Sequence, residues 1–114
     1  MNTPDLPMFI IDVIRYDECE NLESILNMIN DDTNIGWRNF WPHDFTEEEI
    51  KDGLRTLLNC LLIRPIRYDG SINALTDWSE AVDFAEINDF WFRITELGWK
   101  KWEQWEPPKS DHRK

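Results

Sequence analysis

The apolar positions between Ile50 and Leu61 fall on one face of a helix. Ile50, Leu54, Leu57, Leu58 and Leu61 stand at i, i+4, i+7, i+8 and i+11, the 3.6-residue period of an amphipathic helix. The residues ahead of them read as its start. Thr46 followed by Glu49 forms a capping box, and Phe45 and Ile50 flank it as a hydrophobic staple. Glu47, Glu48 and Glu49 put negative charge where the helix dipole is positive. The pattern predicts a helix over 46–60. Gly53 inside it costs ~1 kcal/mol relative to alanine, which implies close packing against another helix. Upstream, Leu22, Ile25, Leu26 and Ile29 form a second apolar stripe, with Asn21 as cap and turn formers from Asn30 to Asn34 as its stop. Phe9, Ile10, Val13 and Ile14 also have helical spacing, and Pro7 suits a first turn. Their β-branched content would equally suit a strand; the helix is the preferred reading.

Beyond the long helix the period changes. Residues 62–68 read as a strand despite Pro65, which fits a sheet edge or bulge. Asp69-Gly70 signals a turn. The stretch to Asn88 has little period and is too long for a tight hairpin. It reads as an extended wing with a helical turn around 77–82, and Phe90-Trp-Phe-Arg-Ile94 returns as the partner strand. Thr95 caps a last helix with Trp99, Trp102 and Trp105 on one side and Lys100, Glu103 and Gln104 on the other. Pro107 and Pro108 end it, giving one domain over 1–108 and a polar tail over 109–114. Trp37, Phe40 and Trp41 in the 35–44 connector are expected to cover the core. Leu54, Leu57, Leu58, Leu61, Phe92 and Ile94 are expected to be buried, with Leu26 packed against them and Cys60 a buried free thiol.

The order of helix, strand, loop, strand and helix resembles the winged-helix superfamily. The residues that carry the resemblance are the leucine helix, the 62–68 strand and Phe92-Arg-Ile-Thr95-Glu-Leu-Gly98. The last is similar to the second wing strand and following helix start of many winged-helix regulators, with Ile94 in place of the common leucine. The resemblance covers the last two-thirds of the chain. It implies an α+β, winged-helix-like fold, with helices and a small antiparallel wing sheet of two or three strands. It also implies that the 46–60 helix would enter a DNA groove and the wing would touch phosphates. On that face Arg55 and Asn59 are placed for base edges.

Charge argues against that use. The chain carries 23 Asp and Glu against 12 Lys and Arg, a formal net charge of −11. From Asp69 to Asp89 there are six acids and no Lys or Arg. Phosphate neutralisation supplies much of DNA affinity, and a wing without a cation supplies none. Disorder is not the reading of this acidity, because seven Trp and six Phe exceed what disordered chains carry. The start of the chain lacks the basic segment of a signal peptide, and no apolar run is long enough to span a bilayer. A soluble cytoplasmic protein is expected.

Catalytic chemistry finds no foothold. His43-Asp44 is a lone His–carboxylate pair with no second ligand at metal spacing, and it reads as a loop pair near the helix start. Cys19 and Cys60 form neither a disulfide framework nor a zinc pattern. No serine sits in a nucleophile elbow and the glycines form no phosphate loop. No catalytic residue, metal or cofactor is expected. Trp78, flanked by Asp77, Ser79 and Glu80, has the composition of an aromatic anchor in an acidic rim. The leading expectation is a non-catalytic acidic protein-binding domain of immunity, inhibitor or accessory type, meeting a basic protein surface. Its candidate contacts are Glu47, Glu48, Asp52, Asp77, Trp78, Glu80, Asp83 and Glu86. The alternative is a dimeric DNA-binding regulator using Arg55, Asn59, Arg64 and Arg67, with Arg93 beside them. A homodimer through Trp78 and Trp105 is a further possibility.

Overall fold

A computed structural model describes residues 5–16, 19–31 and 44–106. It is an α+β fold with a four-stranded antiparallel sheet. Helix α1 spans Leu6–Ile14, a two-residue strand β1 Glu20–Asn21, and α2 Leu22–Ile29. Helix α3, Glu47–Asn59, is the longest of the described helices. Strand β2 follows as Ile63–Asp69, then β3 Ala74–Asp77, a kinked 3₁₀ segment Phe84–Asp89, β4 Phe90–Ile94 and α4 Glu96–Gln104. The sheet order is β1-β4-β2-β3, so β2 and β4 are its centre. The rings of Trp37, Phe40 and Trp41, His43 of the His43–Asp44 pair and the polar tail lie outside the described residues.

Local sequence explains most of the element boundaries. The capping box of α3 forms in full: Thr46 Oγ1 accepts from the Glu49 N–H at 3.2 Å, and Glu49 Oε1 accepts from the Thr46 N–H at 2.9 Å. These bonds hold the Glu49 carboxyl below its ordinary pKa. Asn21 caps α2 by accepting from Ser24 N–H at 2.9 Å. Helix α1 is buried over seven of its nine residues, as befits a helix apolar on nearly all sides. It touches α2, α3, α4 and β4, which makes it the centre of the core. Gly53 lets α3 approach it; a Cβ there would lie 2.5 Å from Ile10 Cδ1.

Helix α3 ends earlier than its leucine period continues, and this corrects three expectations. Leu61 is not core but exposed, Leu58 is only half-buried, and Cys60 is an exposed thiol at the helix end. The cause is a Schellman turn. Leu62 N–H donates to the Leu57 carbonyl at 2.9 Å and Leu61 N–H to Leu58 at 3.1 Å. Leu61 takes the left-handed position, φ 61°, which turns its side chain outward and sends Leu62 inward instead. Leu54, Leu57, Phe92 and Ile94 are buried and Leu26 packs against them, as expected.

The sheet also exceeds the expected two or three strands. In place of the expected extended wing, β2 and β3 form a hairpin through 70–73, with Asn73 at φ 54°. The helical turn expected around 77–82 is absent, because Asp77 ends β3; the turn lies at Phe84–Asp89. Strand β1 adds a fourth strand by pairing Glu20 with Phe92 and Asn21 with Trp91. Pro65 sits in central β2, but it lies just past the point where β3 ends. Its carbonyl accepts from Trp78 N–H at 3.0 Å, so the donor it lacks faces no regular ladder.

One buried charge ties the first helix to the last. Asp12 is fully buried, accepting from Arg15 Nε at 2.7 Å and from Trp102 Nε1 at 3.3 Å. The Arg15 guanidinium lies 4.6 Å from the Trp102 ring centroid. Asp12→Ala is expected to cost about 2 kcal/mol, measured by urea unfolding. The cost falls below the usual range for breaking a buried pair because Arg15 keeps partial access to water.

Candidate functional site

An open groove of about 910 Å³ lies between α3 and the segment after β3. One wall is the C-terminal half of α3, with Arg55, Leu58 and Asn59. Ile63, Arg64 and Pro65 of β2 make the floor. The opposite wall runs from Asp77 through Trp78 and Glu80 to Val82 and Phe84. Leu61 and the first turn of α4, including Leu97, close one end.

The wall after β3 lacks regular structure yet is held in place. Trp78 packs edge-on against Phe90 with ring centroids 5.5 Å apart. Arg67 lies 5.1 Å from the Trp78 centroid and 5.2 Å from that of Phe90. Arg55 stands 4.3 Å from the Phe84 centroid, a cation–π contact that joins this wall to α3. Asp83 accepts from Ala85 N–H at 2.9 Å and so starts the 3₁₀ segment.

The end of the groove is fixed by the Thr95-x-x-Gly98 sequence. The Thr95 hydroxyl donates to the Leu61 carbonyl at 2.7 Å and accepts from Gly98 N–H at 3.0 Å. Thr95 N–H donates to the Leu62 carbonyl at 3.1 Å. One residue thus caps α4 and clamps the corner between α3 and β2. The clamp holds Leu61 in a conformation that costs a residue with a Cβ roughly 1–2 kcal/mol. Its side chain is 69% exposed and therefore recovers little by burial. Leu61→Gly is expected to raise stability by roughly 0.5–1 kcal/mol, less than the full strain because glycine is freer in the unfolded chain. A shift of the denaturation midpoint in urea checks the sign.

Arg55, Arg64 and Arg67 already face carboxylates. Arg55 Nη1 lies 2.7 Å from Asp52, Arg64 Nη1 3.4 Å from Asp77, and Arg67 Nη2 3.7 Å from Glu86 and 3.5 Å from Asp89. Arg64 and Arg93 stand opposite each other across β2 and β4, and both are exposed. Of the residues singled out in the sequence, Asp77, Trp78, Glu80, Arg55, Asn59 and Arg64 meet in the groove. Asp52 reaches it only through Arg55, and Arg67 lies behind Trp78. Glu86 pairs with Arg67, and Asp83 serves its turn. Glu47 lines a separate cleft of about 380 Å³ with Asn21, Glu23, Leu26 and Asn88. Glu48 pairs with Lys51 at 3.5 Å on the first turns of α3.

Leu61 and Leu97 were missed in the sequence. A periodic pattern assigned the first to the core, and nothing local marks the second. Among the described residues neither histidine nor cysteine lines the groove, and the hydroxyl of Thr95 is engaged at both its donor and its acceptor. No group of three or more metal-ligating side chains occurs among the described residues, and no described helix is long and apolar enough to cross a membrane. No family model matches the chain, and comparisons with curated proteins and with solved structures likewise find no match.

Proposed function

We propose that this chain is a non-catalytic protein-binding domain of winged-helix-like architecture whose partner presents a basic surface. In support, α3, β2, β4 and α4 keep the chain order on which the winged-helix resemblance rests, with β3 and a 3₁₀ segment inserted between β2 and β4. The observation that carries the functional reading is the pairing of Arg55, Arg64 and Arg67 with carboxylates on the face that would meet DNA. Binding DNA gains from releasing counterions at free cations. Here Asp52, Asp77, Glu86 and Asp89 already neutralise these cations, so few counterions remain to be released, and a phosphate would approach a chain of net charge −11. The chain's net negative field would steer a basic protein surface inward, and Glu80 stands on this face with no ion pair among the described residues.

A photo-crosslinking residue at Glu80 tests the proposal in cells that express the chain. The expected product is a discrete crosslinked protein whose contact peptide is rich in Lys and Arg. Recovery of crosslinked nucleic acid instead, or of no discrete protein, would count against it. The regulator reading has one observation in its favour, the adjacent cations Arg64 and Arg93 across β2 and β4. Two cations fall well short of the roughly six to ten phosphate contacts of a typical DNA-binding protein.

A further inference from the structure

We infer that the groove takes a basic amphipathic segment of the partner protein. Its apolar side chains seat on Leu58, Leu61 and Leu97, and its lysines or arginines face Glu80 and Glu96. The inference rests on the protein-binding reading and names the chemistry of the contact.

Leu61 supplies the first argument. Scattered apolar residues on a surface need no explanation. A leucine held in the left-handed region is different, because glycine is the residue that fits a Schellman turn without strain. Leu61 is 69% exposed and neighbouring Leu97 is 48% exposed. The Thr95 hydroxyl bond to the Leu61 carbonyl, at 2.7 Å, joins the two elements that carry them. The fold thus holds two uncovered leucines at one end of the groove, one of them at a conformational cost. Strained positions that recover nothing by burial in their own fold gather at ligand contacts.

Charge selects among the occupants. Glu80 has no ion pair among the described residues. Glu96 has only the exposed Lys100, at 3.7 Å one helical turn away, a contact weak enough for a partner's cation to replace. A second copy of this chain would bring the same net charge of −11 and be repelled. A small molecule would be poorly enclosed, because the groove is open along its length. A segment with apolar residues on one face and cations beside them satisfies both the leucines and the carboxylates, in the manner of an amphipathic helix laid in a groove.

The test uses the ¹⁵N-labelled full chain and three synthetic peptides. One is a helical leucine–lysine peptide with its leucines on one face. The second has glutamate in place of lysine, and the third is a scramble of the first. The amphipathic lysine peptide is expected to shift amide signals of Leu58, Leu61, Trp78 and Leu97. Its affinity is expected to fall as salt rises, and to fall about fivefold or more in Leu61→Gly and in Leu97→Ala. Leu61→Gly is expected to unfold no more easily than the parent, so its loss of binding cannot be a loss of fold. Equal binding of the glutamate peptide or of the scramble overturns the inference. So does binding of the lysine peptide elsewhere on the chain with both variants unaffected, although that result leaves the protein-binding reading standing. Absence of binding by every peptide overturns the inference, and the crosslinking experiment then decides the broader reading separately.

Discussion

Replacing Gly98 with alanine is expected to lower stability by about 3 kcal/mol, the upper end of the cost of overpacking. A Cβ at this position would lie 2.1 Å from the Leu62 carbonyl oxygen and 2.8 Å from Ile94 Cγ2. In an open helix alanine would gain ~1 kcal/mol over glycine, so the sign depends on whether the obstacle can move. It is backbone, and it is anchored: the Leu62 carbonyl accepts from Thr95 N–H at 3.1 Å, and the adjacent Leu61 carbonyl accepts from the Thr95 hydroxyl at 2.7 Å. Moving it breaks the clamp between α4 and the α3–β2 corner. Chemical denaturation reads the loss directly, and a neutral or stabilising effect would mean that α4 does not approach β2 this closely.

Leu57→Ala is expected to cost about 3–4 kcal/mol, within the range for truncating a fully buried leucine. Leu57 has no exposure and lies on α3 where that helix faces α1 and the sheet. Its carbonyl is also where the Leu62 N–H closes the Schellman turn, but that bond survives the substitution. Leu58→Ala is the control. Leu58 is half-buried in the groove wall, so its truncation is expected to cost less than half as much. Equal losses at the two sites would mean that the buried face of α3 is not the one described.

The two substitutions mark where the sequence was legible and where it was not. Helix α3 was readable because its signals are local: a cap and its reciprocal partner three residues apart, then an apolar stripe. Asn21 and Thr95 announced the starts of α2 and α4 for the same reason. The end of α3 was misread because a period extrapolates past its stop. Leu61 fits the helical stripe by spacing, but the turn that expels it depends on backbone bonds to Leu57 and Leu58 and on a clamp from Thr95, 34 residues away. Strands β1 and β3 carry too few residues to show alternation, and their existence depends on partners elsewhere in the chain.

The same distinction governs the site. Trp78 in its acidic setting and the acidity of the wing were visible as composition. That Arg64 would meet Asp77, or Arg67 meet Asp89, follows only from strand register and the return of β4. Counting charges along the chain gave the sign of the face. Pairing them showed that Arg55, Arg64 and Arg67 already have acidic partners. Asp12 and Trp102 lie 90 residues apart and gave no signal of their contact.

Titration of a labelled random DNA duplex with the isolated chain, at low salt of about 50 mM and at about 150 mM, tests the central claim most directly. The account predicts no measurable association at the higher salt and at most feeble association at the lower, because no described arginine of the α3–β2 face is free of carboxylate. Tight duplex binding that weakens steeply between the two salt concentrations would contradict it and establish the DNA-binding regulator in its place.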